Sequence, residues 1–79
     1  MKKKTLLADQ ALQKLIDDHE FDRVLDIGSG EGRHSDHLRR AGKDVTEIDY
    51  RPRREGVIAA DYLEHRYSQP FDCIWASHV

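Results

Sequence analysis

Val24-Leu25-Asp26-Ile27-Gly28-Ser29-Gly30-Glu31-Gly32 decides the fold of this 79-residue chain. Residues 23–27 form a short apolar run halted by glycine, the pattern of a buried parallel strand. From Glu31 the pattern turns helical: His34, Leu38 and Ala41 share a stripe, Arg39 and Arg40 fill the last turn, and Gly42 is placed to end it. Strand, glycine turn and helix in that order open an α/β layer built on a parallel sheet.

Upstream, Ala8, Ala11, Leu12, Leu15 and Ile16 recur at helical spacing after Thr5, a candidate N-cap, and predict an amphipathic helix over residues 5–20 packed on the domain. Downstream, residues 45–48 make a second strand ending at Asp49, and residues 57–60 a third ending at Asp61. Residues 62–66 suit a helical turn, and residues 71–76, after Pro70, a fourth strand. The predicted class is α/β, a Rossmann-like three-layer sandwich around a partial, mostly parallel sheet of about four strands, in one truncated domain over residues 1–79. Only residues 50–56 join the second and third strands, whereas a helical crossover needs at least about 10. Either a tight loop with Pro52 at its first turn replaces that helix, or the third strand is not parallel; the shortened loop is favoured.

A chain this short buries about 60% of its unfolded surface, so one marginal domain is expected. Hydrophobic residues at 38% and charged residues at 35% describe a globular, water-soluble chain. The net charge of −2 supplies no global positive field and argues against nucleic acid as a partner. Cys73 is the single cysteine, so no internal disulfide forms, and a reducing, cytoplasmic setting is expected. The basic start at Lys2 to Lys4 has no apolar core behind it for export, and no run approaches the ~20 residues of a membrane span.

If the sheet is parallel, the loops after its strands converge on one crevice at the carboxyl edge, where open α/β sheets bind ligands. Gly28, Gly30 and Gly32 let the backbone turn sharply and approach a ligand closely. Their GxGxG spacing puts Arg33 where a dinucleotide fold has its third glycine, and Glu31 would repel a pyrophosphate. No GxxxxGK[ST] motif is present. Asp49, about twenty residues after Gly28, stands where a carboxylate accepts both hydroxyls of a ribose. Tyr50 is placed to cover an adenine face, and Asp61 with Tyr62 to read the adenine amine and ring edge. Ala76, Ser77 and His78 complete the group at the end of the fourth strand.

VLDIGSGEG, VTEIDY, AADYLE and PFDCIWASHV resemble, in order and spacing, the first four motifs of class I S-adenosylmethionine-dependent methyltransferases. The resemblance implies that the turn from Asp26 through Ser29 to Gly32 cradles the methionine part, Asp49 holds the ribose, and Asp61 and Tyr62 flank the adenine. It also places Ala76 and Ser77 near the transferable methyl. S-adenosylmethionine is the cofactor so implied and S-adenosylhomocysteine its product. Two departures matter: the helix after the second strand is missing or reduced, and about four strands stand where the family carries seven. The methyl acceptor and the catalytic residue are therefore left unassigned, and His78 is named only because it sits where members of the resembled family approach the methyl group. The alternative is a non-catalytic binding or interaction module that pairs through the open edge of the fourth strand, as a homodimer or with a complementary C-terminal half.

Three other groups have plainer readings. His34 and His37 stand at a spacing that suits metal, but no third ligand is evident, so surface or interface histidines are expected and no metal is assigned. Arg51, Arg53 and Arg54 read as a solvated cluster rather than a contact for an anionic acceptor. Cys73 and Trp75 read as core.

Overall fold

In the computed structural model, residues 2–76 are described, with side chains from Asp9 onward. The order is α1 (Lys2–Asp18), β1 (Arg23–Ile27), α2 (Arg33–Arg40), β2 (Asp44–Asp49), β3 (Val57–Ala59) and β4 (Cys73–Trp75). All four strands join one sheet in the order β3-β2-β1-β4, and every pairing is parallel. The chain steps outward from β1 to β3, then returns to the far side of β1. That reversal is the switch point beside which open α/β sheets place their ligands.

Strand alternation sorts the core into two layers. Val24 and Val45 face the helices, where they meet Leu12, Phe21 and Leu38, with Cys73 and Trp75 alongside. Leu25, Ile27 and Ile48 face the other way, against Ile58, Ala60, Tyr67 and Phe71. Both helices thus lie on one face, and the irregular segment from Ala60 to Phe71 covers the other. No helix among the described residues builds the outer third layer. Ile74, in register with Leu25 on that face, is left 62% exposed.

α2 starts at Gly32, whose φ of 84° is left-handed, and carries Asp36 in its first turn and His37, Arg39 and Arg40 in its last, matching the helix dipole. It ends as expected at Gly42: the Gly42 N–H bonds the Arg39 carbonyl at 2.9 Å and the Lys43 N–H bonds Leu38 at 3.0 Å, a Schellman motif. α1 differs from expectation at both ends. It begins at Lys2 and not after Thr5, since three lysines are good helix formers and nothing there breaks the turn. It stops at Asp18 because the chain must swing inward to bury Phe21 before β1.

The short connection after β2 is a loop with no regular helix, and β3 still pairs parallel, Ile48 opposite Ile58. Residues 62–66 yield one turn, in which the Glu64 and His65 N–H groups each bond the Asp61 carbonyl at 3.0 Å. No helix among the described residues is long and apolar enough to cross a membrane.

Candidate functional site

The carboxyl ends of β1, β2 and β3 and the start of α2 enclose a crevice of about 640 Å³, a volume typical of small-molecule sites. Gly28, Ser29 and Gly30 form one wall, Asp49, Tyr50, Arg51 and Arg53 the opposite one, and Ala60 and Tyr62 the far end. Asp49 joins the walls. Its Oδ2 accepts the Gly30 N–H at 3.0 Å, and its Oδ1 accepts the Arg51 N–H at 3.0 Å. The carboxylate is thereby locked at the strand tip, half-buried and facing the crevice.

The two outer glycines of the turn serve different neighbours. Gly30, at φ 59°, has nothing within 4 Å of where a Cβ would stand, so its backbone is open to close approach. Gly32 has no such space: a Cβ there would lie 2.0 Å from Arg54 Cζ. The Arg54 guanidinium lies flat across Gly32. It reaches Asp36 at 2.9 Å and Glu47 at 2.6 Å. Contrary to the solvated reading of the three arginines, Arg54 is tucked inward, while Arg51 and Arg53 are exposed on the crevice rim. Arg53 Nη1 stands 3.6 Å from Glu31, a pair too exposed to contribute much.

Glu47 explains why Arg54 turns in. As the alternate residue of β2 it points under α2, only 2% exposed, beside Asp26 of β1. Burial opposes its ionisation, but hydrogen bonds from Arg54, from Arg39 at 2.7 Å and from the nearby Ser29 hydroxyl outweigh this and hold its carboxyl below the usual range. Ser29 Oγ is near enough to help, yet neither it nor Glu47 Oε1 completes a hydrogen bond of ordinary geometry. Asp36 is also held low, chiefly by Arg54, and Arg54 is held fully protonated by Asp36 and Glu47.

Asp26 lies outside the crevice lining. Its carboxylate is 2% exposed and accepts the Ser35 hydroxyl at 2.6 Å, which ties β1 to α2. Asp61 caps the following turn, its Oδ1 accepting the Leu63 N–H at 2.9 Å. That bond, with Tyr50 beside it, holds the Asp61 carboxyl low, and Asp61 in turn pushes the Tyr50 phenol up. Tyr50 and Tyr62 both line the crevice and are exposed, offering ring faces to a ligand. Ser77 and His78 lie outside the described residues.

The histidines separate. His37 meets Gln13 of α1 at 2.7 Å. His34 is buried against the crevice, where Nδ1 accepts the Trp75 indole N–H at 3.1 Å and Nε2 faces Asp9 of α1 at 3.2 Å. An accepting Nδ1 fixes the proton on Nε2, so His34 donates to Asp9. Among the described residues no group of three or more His, Cys, Asp or Glu side chains is arranged to hold a metal. Cys73 is half-buried in the helix-side core, where burial pushes its thiol up.

Sequence reasoning passed over Glu47, and read Arg54 as solvated and His34 as a surface or interface histidine, where the structure buries His34 and turns Arg54 inward. Glu47 carried a usable signal: an acid flanked by Thr46 and Ile48 inside a buried strand demands a cation nearby, and the arginines of the next loop are within a few residues.

A parallel sheet in the order 3-2-1-4 with a glycine turn and a strand-tip acid around one crevice defines a Rossmann-like domain. Within that class the chain belongs to the methyltransferase domain family, whose sequence profile matches residues 2–79. No curated protein and no solved structure matches the chain.

Proposed function

We propose that this chain is the cofactor-binding portion of a class I methyltransferase and takes S-adenosylmethionine, and S-adenosylhomocysteine after transfer, in the crevice. The observation that carries the reading is the bond from the Gly30 N–H to Asp49. It joins the glycine turn to a fixed acid at the next strand tip, so that one ligand meets both. The family match supports methyl transfer as the chemistry.

The residues fit such a cofactor. The open face of Gly30 leaves room for the backbone to approach the methionine part. The buried Ser29 hydroxyl has an unmet hydrogen bond beside it. Asp49 supplies the acceptor a ribose diol needs, and the rings of Tyr50 and Tyr62 on the crevice lining would flank the adenine, with Asp61 behind them beside Tyr50. Asp26 and Gly32 act behind the turn, holding it from the α2 side. When bound, the cofactor supplies a methyl group on a sulfonium, and the protein's part is to hold that methyl in line with the acceptor.

Calorimetric titration with S-adenosylhomocysteine and with NAD, on the wild type and on Asp49→Ala, tests this. The homocysteine compound binds the wild type. Loss of charge-assisted bonds of about 1.5–3 kcal/mol then weakens it roughly ten- to hundredfold in the variant. Tighter binding of NAD overturns the assignment.

A second reading is favoured by β4. Among the described residues it pairs only with β1 and leaves Ile74 exposed, so its outer edge and face are available to another chain. Light scattering that finds only monomer at high concentration removes this reading.

A further inference from the structure

The loop between β2 and β3 is too short for a crossover helix, yet it builds one whole wall of the crevice. Something other than a helix must hold it. Arg51 and Arg53 point to the rim and leave Arg54 as its inward-facing cation. The Arg54 guanidinium donates to three places at once: the Asp36 carboxylate in the first turn of α2 at 3.0 Å, the Gly32 carbonyl at 3.4 Å, and buried Glu47 of β2 at 2.6 Å. Gly32 is the residue through which the glycine turn enters α2, and its N–H closes the turn onto the Ser29 carbonyl at 3.0 Å. Glu47 in turn lies near Ser29, on the crevice-lining side of that turn.

The geometry points to Arg54 as a positioning residue that locks the glycine turn of residues 28–32 to the β2–β3 loop and so sets the width of the ligand crevice. It does this without touching the ligand. The guanidinium occupies the space a side chain at Gly32 would fill, and so adds a second reason, beside the left-handed φ of 84°, for the third glycine of the GxGxG run. Two walls joined through Asp49, and at the exposed rim by Arg53 and Glu31, are clamped again from beneath. A planar fork with several donors suits three acceptors arranged around it, whereas a lysine serves fewer of them at once.

Amide hydrogen exchange and calorimetry on the full chain, comparing the wild type with Arg54→Lys and Arg54→Gln, test the assignment. In Arg54→Gln the N–H groups of Gly30, Gly32 and Arg51 exchange at least about tenfold faster, while those of Val24 and Leu25 in β1 keep their protection. Arg54→Lys falls between. The affinity arm rests on the cofactor reading above: S-adenosylhomocysteine binds Arg54→Gln about tenfold more weakly, measured where the protein is folded. Unchanged exchange at the three turn and loop amides overturns the inference. So does equal loss at every amide, since Arg54 would then support the fold as a whole and not the crevice. If the wild type binds no S-adenosylhomocysteine, the cofactor reading fails, and the exchange pattern still decides the role of Arg54.

Discussion

Gly30 and Gly32 sit two residues apart, both with positive φ, and their substitution separates two costs that the motif alone runs together. Alanine at Gly30 meets open space, so only the left-handed backbone penalises it, by about 1–2 kcal/mol. Alanine at Gly32 pays that strain and also drives the Arg54 guanidinium away from Asp36 and Glu47. Glu47 would keep Arg39, and the Arg54 tip is flexible and partly exposed, so the added loss falls below the roughly 3–5 kcal/mol of breaking a fully buried pair. Urea unfolding is expected to rank Gly32→Ala clearly below Gly30→Ala, and the gap should close in an Arg54→Gln background, because the displaced partner is then already gone. An unchanged gap in that background would show that the guanidinium is not what Gly32 accommodates. The glycines and Asp49 were legible in the sequence because turn chemistry and strand-tip position are local. The assignment of Gly32 to Arg54 was not, since it depends on a side chain 22 residues away.

α1 is joined to the rest by a seam where α1, α2 and β4 meet. Leu12, 1% exposed, is its one fully buried side chain among those described, with Leu15 and Ile16 partly covered. Around it Asp9 takes two bonds from Arg33, at 2.6 and 2.8 Å, and one from His34, which also receives Trp75. The Asp9–Arg33 pair is exposed and contributes little. Leu12→Ala is therefore expected to remove about 2–5 kcal/mol, a large share of what a domain this small possesses, and to lower the far-UV helical signal as α1 detaches. Asp9→Asn should shift the unfolding midpoint by far less; equal effects would mean that the ion pairs and not the apolar seam hold α1. Helices, strands and their parallel pairing followed from period and punctuation, as the apolar stripe of α1 and the glycine stop after Ile27 illustrate. The place of β4 beyond β1 carried no local signal, because strand order is set by contacts such as Asp72 Oδ2 with the Asp22 and Arg23 N–H groups at 2.9 and 3.0 Å, some fifty residues apart in sequence. Nor did periodicity reveal that the second face would be covered by coil: Ala60, Tyr67 and Phe71, which cover it, fall at a spacing a helix would also give, and only Pro70 speaks against one.

The sheet of this domain has an apolar layer on each face, but the helix-side layer is interrupted beneath α2 by Asp26 and Glu47, adjacent in register and both buried. Such a pair is tolerable only while partners offset it: Ser35 for Asp26, and Arg39 and Arg54 for Glu47. Acid acts on this arrangement with a definite sign. Glu47 in the folded protein ionises below its ordinary value of 4.5, and Asp36 below 3.8. In the unfolded chain both return to those values, so near and below pH 4.5 the unfolded state binds more protons. Their contribution is thus fully present above about pH 4.5 and is lost as pH falls through the lower folded values. Asp36, like Asp9, Asp61 and Asp72, is shifted in the same direction but solvent-screened, so buried Glu47 carries most of the effect. Urea midpoints measured from pH 6 to pH 3 are expected to fall most steeply below about pH 4.5. In Arg54→Gln that fall should flatten: with one of its two guanidinium partners gone and only Arg39 left, the folded pKa of Glu47 moves up toward its unfolded value, so acid favours the unfolded chain less. A variant whose acid limb ran parallel to the wild type would place the acid-sensitive carboxylates elsewhere than under α2.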